Sequence, residues 1–347
     1  MTEPTEKNAE QSKKSQSWWL TMPGMLTAIT GLIGAIGGFL VVLNQVGWIG
    51  GDSSTGPSAA LVGGVTTTTP APPPPPATRQ IALNFAVSAS NRLIRPGGVA
   101  VDKDGNVYVA DHDNDRVLRL APGSDTPTTV LDERYVHWPA GVAVDRTGNL
   151  YVADPGHFND SGHNRVLKLA VGSDTPTPLP LDGLYGPVAV AVDNNDAVYI
   201  ADTGNRRVLK LAAGSTTQEV LPFLSFPLAR PVGVAVDSSF NVYVVDSELM
   251  RVYQLNNAAP RQQREIFQLS GLRAPSGIAV DAAGSVYVTD SSGNLVRMQK
   301  VAAGSTVSTQ LDFVNLFNPT GIAVDSSSNV YVADWFNDGR LLKLPPP

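Results

Sequence analysis

The chain holds 347 residues with a formal net charge of −6 and no cysteine. The acidic balance, with no basic block and no aromatic-interleaved basic patch, excludes the electrostatic footprint of a nucleic-acid binder. The missing cysteines exclude disulfides as a source of stability, so any fold must be held by its core and its topology.

In chain order, residues 1–24 read as a short polar tail carrying Lys7, Lys13 and Lys14. A span over residues 25–47 follows. Its nineteen positions 25–43 lack any charge and consist of Leu, Ile, Val, Gly and Ala relieved by a few other uncharged residues, a length that matches a bilayer core. Trp18 and Trp19 stand at one end and Trp48 at the other, where interfacial aromatic anchors belong. The apolar run is longer than that of a signal peptide and has no small-residue cleavage site close behind it, so an uncleaved anchor is expected. The lysines precede the span and the first basic residue beyond it is Arg79. Positive residues stay on the cytoplasmic side, so the N-terminus is expected in the cytoplasm and the rest of the chain outside, in a cell membrane crossed once. Gly31 with Ala35 and Gly34 with Gly38 form small-xxx-small pairs that would let two such helices meet as a homodimer.

Residues 48–78 are rich in Gly, Ser, Thr and Pro, with prolines unbroken from 72 to 76. Such a segment buries no core and stays extended. At ~3.1 Å per residue, its stretch 51–78 would reach on the order of 80–90 Å. Its Thr/Pro content is that of a spacer or an O-glycosylated stalk.

From residue 79 to 347 the chain repeats itself. Asp102, Asp145, Asp193, Asp237, Asp281 and Asp325 are each followed six residues later by a Tyr, and three residues beyond that by a second Asp (Asp111, Asp154, Asp202, Asp246, Asp290, Asp334). Six residues before each first Asp stands a proline: Pro96, Pro139, Pro187, Pro231, Pro275 or Pro319. The intervals between first Asp residues are 43, 48, 44, 44 and 44, the longest reflecting an insertion after Asp154. Within one unit, short β-branched runs alternate with Asp/Gly turns, and none shows apolar residues at helical spacing. Four short strands at this period describe a propeller blade. The fold class is therefore all-β, a six-bladed β-propeller preceded by one transmembrane α-helix and a Pro/Thr-rich linker. The sixth unit lacks its fourth strand, whereas an orphan run, Gln80 to Phe85, precedes the first. This run is expected to complete blade six and close the ring, hiding an open edge.

The unit P-x-G-V-A-V-D-x3-N-V-Y-V-A-D-x2-N-x-R-V-L-K-L resembles the NHL repeat in all six copies. Departures are local: Ala189 stands for Gly in blade three, and Leu295 stands where Arg is expected in blade five. The layout is similar to the extracytoplasmic sensor half of actinobacterial receptor Ser/Thr kinases of the PknD type, without the kinase domain. The resemblance implies a sensor role. Some NHL propellers bind RNA, but this chain lacks the charge for it.

Function follows from which positions carry chemistry. The first Asp set reads as turn caps. Asp111 with Arg116, Asp202 with Arg207 and Asp246 with Arg251 read as exposed hairpin pairs of small energetic weight. Six-bladed propellers include lactonases and lyases that hold a metal on the central axis, yet here the residues after the marker prolines are Gly97, Ala140, Val188, Val232, Ser276 and Thr320. With no charged cage there, neither an enzyme nor a cofactor is expected. His157, Asp160 and His163 in the inserted loop have a spacing compatible with a divalent metal, against a default of a solvated loop. The loops between blades are apolar and aromatic. Phe223 and Phe313 read as packing wedges, and Arg95, Trp138, Tyr185, Arg230 and Arg273 read as a rim of ligand-binding residues, the types found at binding hot spots. The expected function is a membrane-anchored extracytoplasmic sensor that binds a protein, peptide or cell-envelope ligand on this loop face, with no nucleic-acid partner. The alternatives are a membrane-tethered lyase or lactone hydrolase with an axial metal, and a scaffold in envelope assembly.

Overall fold

The computed structural model describes residues 80–86, 92–157, 163–266, 269, 271–292, 295–335 and 339–346. The tail, the apolar run and the linker lie outside the described residues. Among the described residues no helix is long and apolar enough to cross a membrane.

The described strands form six antiparallel sheets of four strands each. Blade one runs Pro96–Val101, Val107–Asp111, Arg116–Leu120 and Thr128–Leu131, each strand paired to the next. The later blades repeat this order. In five of the six, the register shifts just after the marker proline. Proline cannot donate to the ladder, and a bulge is where a strand tolerates it. Blade six takes its outer strand from the other end of the chain. Ile81–Leu83 pairs antiparallel with Arg340–Leu344, placing Ile81 opposite Lys343 and Leu83 opposite Leu341. Phe85 and Leu93, just beyond that strand, are buried in the seam between blades six and one. The expected closure is thus present.

The repeated spacing has a structural cause. In every blade the first Asp receives backbone amides two and four residues on; in blade one Asp102 accepts from Asp104 and Asn106 at 3.0 and 2.8 Å. Its second oxygen accepts the hydroxyl of the Tyr six residues later, at 3.3, 3.1, 2.8, 3.0, 2.9 and 3.0 Å from blade one to blade six. These tyrosines are buried. Burial, with the adjacent carboxylate, pushes their phenol pKa values up. The Lys of the R-V-L-K-L strand lies over the same ring in blades two, three and six, with Nζ 5.2, 5.2 and 5.3 Å from the centroid, a cation–π contact.

The core lies between blades rather than inside one. Tyr199 and Val208 of blade three pack with Val234, Val244 and Leu255 of blade four, and each neighbouring pair of blades repeats this arrangement. First strands of adjacent blades run side by side around the axis, blade six beside blade one. They approach so closely that a Cβ on Gly141 would lie 2.7 Å from the Val188 carbonyl oxygen, which explains a glycine there. Hydroxyls tie the blades: Thr203 Oγ1 donates to Pro231 O at 2.6 Å, Ser276 Oγ to Pro319 O at 2.7 Å and Thr320 Oγ1 to Pro96 O at 2.5 Å.

Candidate functional site

The second Asp set builds one face of the wheel. Each of these carboxylates is fully buried and accepts amides from the loop that enters its own blade. Asp111 takes Ile94 N at 2.7 Å, Asp154 takes His137 N at 2.8 Å and Asp202 takes Tyr185 N at 2.8 Å. Asp246 takes Ala229 and Arg230, Asp290 takes Arg273 and Ala274, and Asp334 takes Phe317 and Asn318. The loops between blades and the turns after the second strands therefore share one face.

The expectation of exposed hairpin ion pairs is corrected. Arg116 Nε reaches Asp111 at 2.6 Å and Arg207 Nε reaches Asp202 at 2.7 Å, but the carboxylates are buried and the Arg116 side chain is only 8% exposed. Each of these guanidiniums also donates to a loop carbonyl, Arg92 O or Gly183 O. Arg165 with Asp154 and Arg340 with Asp334 complete the pattern. The third expected pair is not made: Arg251 turns to Glu265 at 2.8 Å, and Asp246 accepts the Glu248 and Leu249 amides instead. In blade five the register sets Asp290 opposite Arg297, yet Asp290 Oδ2 and Arg297 Nε are buried without hydrogen-bond partners among the described residues.

At the centre of this face the axis opens into a cavity of about 520 Å³. Its wall holds all six residues that follow the marker prolines, Gly97, Ala140, Val188, Val232, Ser276 and Thr320. Above them stand three of the five expected rim residues, Arg95, Arg230 and Arg273. Trp138 and Tyr185 do not line it. Tyr185 is 62% exposed on the outer rim. Trp138 stacks against His112 at a centroid distance of 5.4 Å and lies tilted against His157 at 4.4 Å. Besides Asn318, four polar or aromatic lining residues were missed from sequence: His112, Ser247, Ser291 and Trp335. All four occupy one repeat position, directly after the closing Asp, and that position was the signal.

Arg95 spans the mouth. Its Nη1 contacts Asp113 Oδ1 at 3.3 Å and its guanidinium lies over Trp335, 5.0 Å from the ring centroid. Its φ of 51° and that of Trp138 at 56° are left-handed, and Gly186 at 60° holds the equivalent place in blade three. Non-glycine residues enter this region at a cost, and such residues cluster at functional sites. His112 donates from Nδ1 to the same Asp113 oxygen at 2.7 Å. Burial, then the Arg95 charge, lowers its pKa, which favours the neutral ring.

Two of the candidate metal ligands, His157 and His163, both lie against the His137 ring, at centroid distances of 5.4 and 4.5 Å, yet among the described residues no group of three or more side chains is arranged to hold a metal. His157 Nε2 is 3.1 Å from Asp115 and His163 Nδ1 is 3.1 Å from Asp154, while Asp160 lies outside the described residues. The axial cavity does not suit a divalent cation either. No carboxylate lines it, three guanidiniums oppose a cation, and the Ser276 and Thr320 hydroxyls are committed to neighbouring carbonyls.

A family model described as the NHL repeat matches residues 93–120 and 184–211. The chain carries NHL repeats. A second model, strictosidine synthase-like N-terminal, matches residues 262–298. No curated protein matches the sequence significantly. Among solved structures, the NHL wheel is similar to a gluconolactonase from Xanthomonas campestris, at 16% identity and TM-score 0.59, covering 77% of this chain and 98% of that one. A streptogramin B lyase aligns at 14% identity and TM-score 0.52, covering 76% and 96%. A chain of a nidogen/laminin complex aligns at 22% and 0.55, covering 67% and 85%. These likenesses establish the six-bladed fold. They also correct the expectation that the chain is not an enzyme. That reading rested on an axis without a charged cage, and wheels of this architecture include a lactonase and a lyase.

Proposed function

We propose that the chain is a single-pass membrane protein whose extracytoplasmic propeller recognises a protein, peptide or cell-envelope ligand at the mouth of its axial cavity and reports it as a sensor. The observation that carries this reading is the convergence of Arg95, Arg230 and Arg273, from three separate blades, on one cavity beside Trp335. A volume of about 520 Å³ lies within the usual range of small-ligand sites, roughly 300–1,000 Å³. The membrane anchor rests on the uncharged run at residues 25–43 and the lysines before it. The test is capture from envelope extract by the full chain in detergent, comparing wild type with an Arg230→Ala, Arg273→Ala variant. Recovery should fall in the variant, and equal recovery would move the site elsewhere.

A second reading, turnover of the bound ligand as a lyase or lactone hydrolase, is favoured by the fold's likeness to a gluconolactonase and a streptogramin B lyase. Fold does not fix function, so a panel of lactones assayed with and without chelator decides it. Hydrolysis lost in the Arg230→Ala, Arg273→Ala variant would establish turnover in this cavity.

A further inference from the structure

We propose that the axial cavity selects a small anion, taking a carboxylate or phosphate group between Arg95, Arg230 and Arg273. This rests on the reading of that cavity as the ligand site and names the chemistry it accepts.

The charge pattern runs against the rest of the domain. Residues 79–347 carry 22 basic and 27 acidic residues, a net of −5, yet three arginines line the cavity and no Asp or Glu does. Three carboxylates of the same face turn toward the loops. Asp111, Asp246 and Asp290 are buried beneath the loops and bind backbone amides. Asp113 stands outside the lining, beside Arg95 and His112. An incoming anion can displace Asp113 from Arg95, because that contact is long at 3.3 Å and partly exposed.

The backbone that carries two of the arginines is held in place: the Arg230 amide donates to Asp246 and the Arg273 amide to Asp290, each at 3.1 Å. Arg95 is fixed by its left-handed backbone and by the Trp335 face. Donors fixed before binding lose less freedom on binding, and a guanidinium fork matches carboxylate and phosphate oxygens two at a time. The apolar wall below, Val188 and Val232 with Ala140, leaves room for only a modest organic body beneath the charged group.

Calorimetric titration of the full-length protein in detergent at low salt tests this, with citrate, inorganic pyrophosphate and the neutral trimethyl ester of citrate as probes. At least one anion should bind, the ester should not, and Arg273→Gln or Arg230→Gln should each weaken the anion about tenfold or more. Lys103→Gln, on an exposed turn away from the cavity, should leave it unchanged, and thermal melts confirm that each variant is folded. Tighter citrate assigns a carboxylate and tighter pyrophosphate a phosphate. Silence toward both anions, equal binding of the ester, or wild-type affinity in the arginine variants would overturn the proposal. If envelope capture depends on Arg230 and Arg273 while neither anion binds, the cavity stands and its anionic selectivity falls. If capture and anion binding are both indifferent to the arginines, the cavity is not the site.

Discussion

Tyr199 and Asp193 carry the logic of the repeat in a single contact. The hydroxyl donates to a carboxylate that already caps its turn, at 2.8 Å, in a buried setting. Hydrogen bonds to charged groups contribute about 1.5–3 kcal/mol, so Tyr199→Phe should lower unfolding stability by about that amount in a urea melt. Burial and the adjacent Asp raise all six repeat tyrosines above the ordinary phenol pKa of 10.0. The folded state then favours the neutral phenol. Its contribution is complete below the unfolded pKa and is lost as pH rises above about 10, by about 1.4 kcal/mol per tyrosine per pH unit. A spectrophotometric titration should show these phenols ionising together with loss of circular dichroism, not one by one in a folded protein. The capping role of the first Asp was legible from turn chemistry. Its bond to Tyr was not, because spacing alone does not show that two side chains on a tight hairpin turn toward each other.

The strands and hairpins were legible from period and β-branching, and closure from counting strands at each end. The pairing of Ile81–Leu83 with Arg340–Leu344 joins the two ends. Deleting residues 79–90 should expose the edge of blade six and lower the melting temperature or cause aggregation, as followed by scanning calorimetry and light scattering; an unchanged melt would deny this strand its role. The weight of the Asp–Arg pairs was misread, since sequence gives adjacency across a hairpin but not burial. Removing one partner of a buried pair costs about 3–5 kcal/mol, so Arg116→Met should be severe, whereas Arg134→Met, whose side chain is 73% exposed, should cost less than about 1 kcal/mol. Phe223 fulfils its expected wedge role at 7% exposure, and Phe313 packs against the core between blades five and six.

At the scale of the whole wheel, the axis was legible in part. The small and apolar wall followed from repeat position, and three of the five residues picked out by loop composition, Arg95, Arg230 and Arg273, line the cavity. Trp138 lies against His112 and His157 and does not line the cavity; these two partners come from different blades, and only the folded ring brings them together. Trp335 and His112 carry no signal in loop composition; only their shared position after a closing Asp marks them. A ligand that enters this cavity from the loop face shields its wall, and because the chain has no native cysteine, a single introduced thiol reports that shielding. Val188→Cys in the cavity wall and Ser239→Cys on an exposed turn away from it are each labelled with a maleimide in the full chain, with and without envelope extract. Slowed labelling at position 188 alone is the predicted result. Unchanged labelling at 188 from an extract whose ligand the protein demonstrably captures would contradict the account.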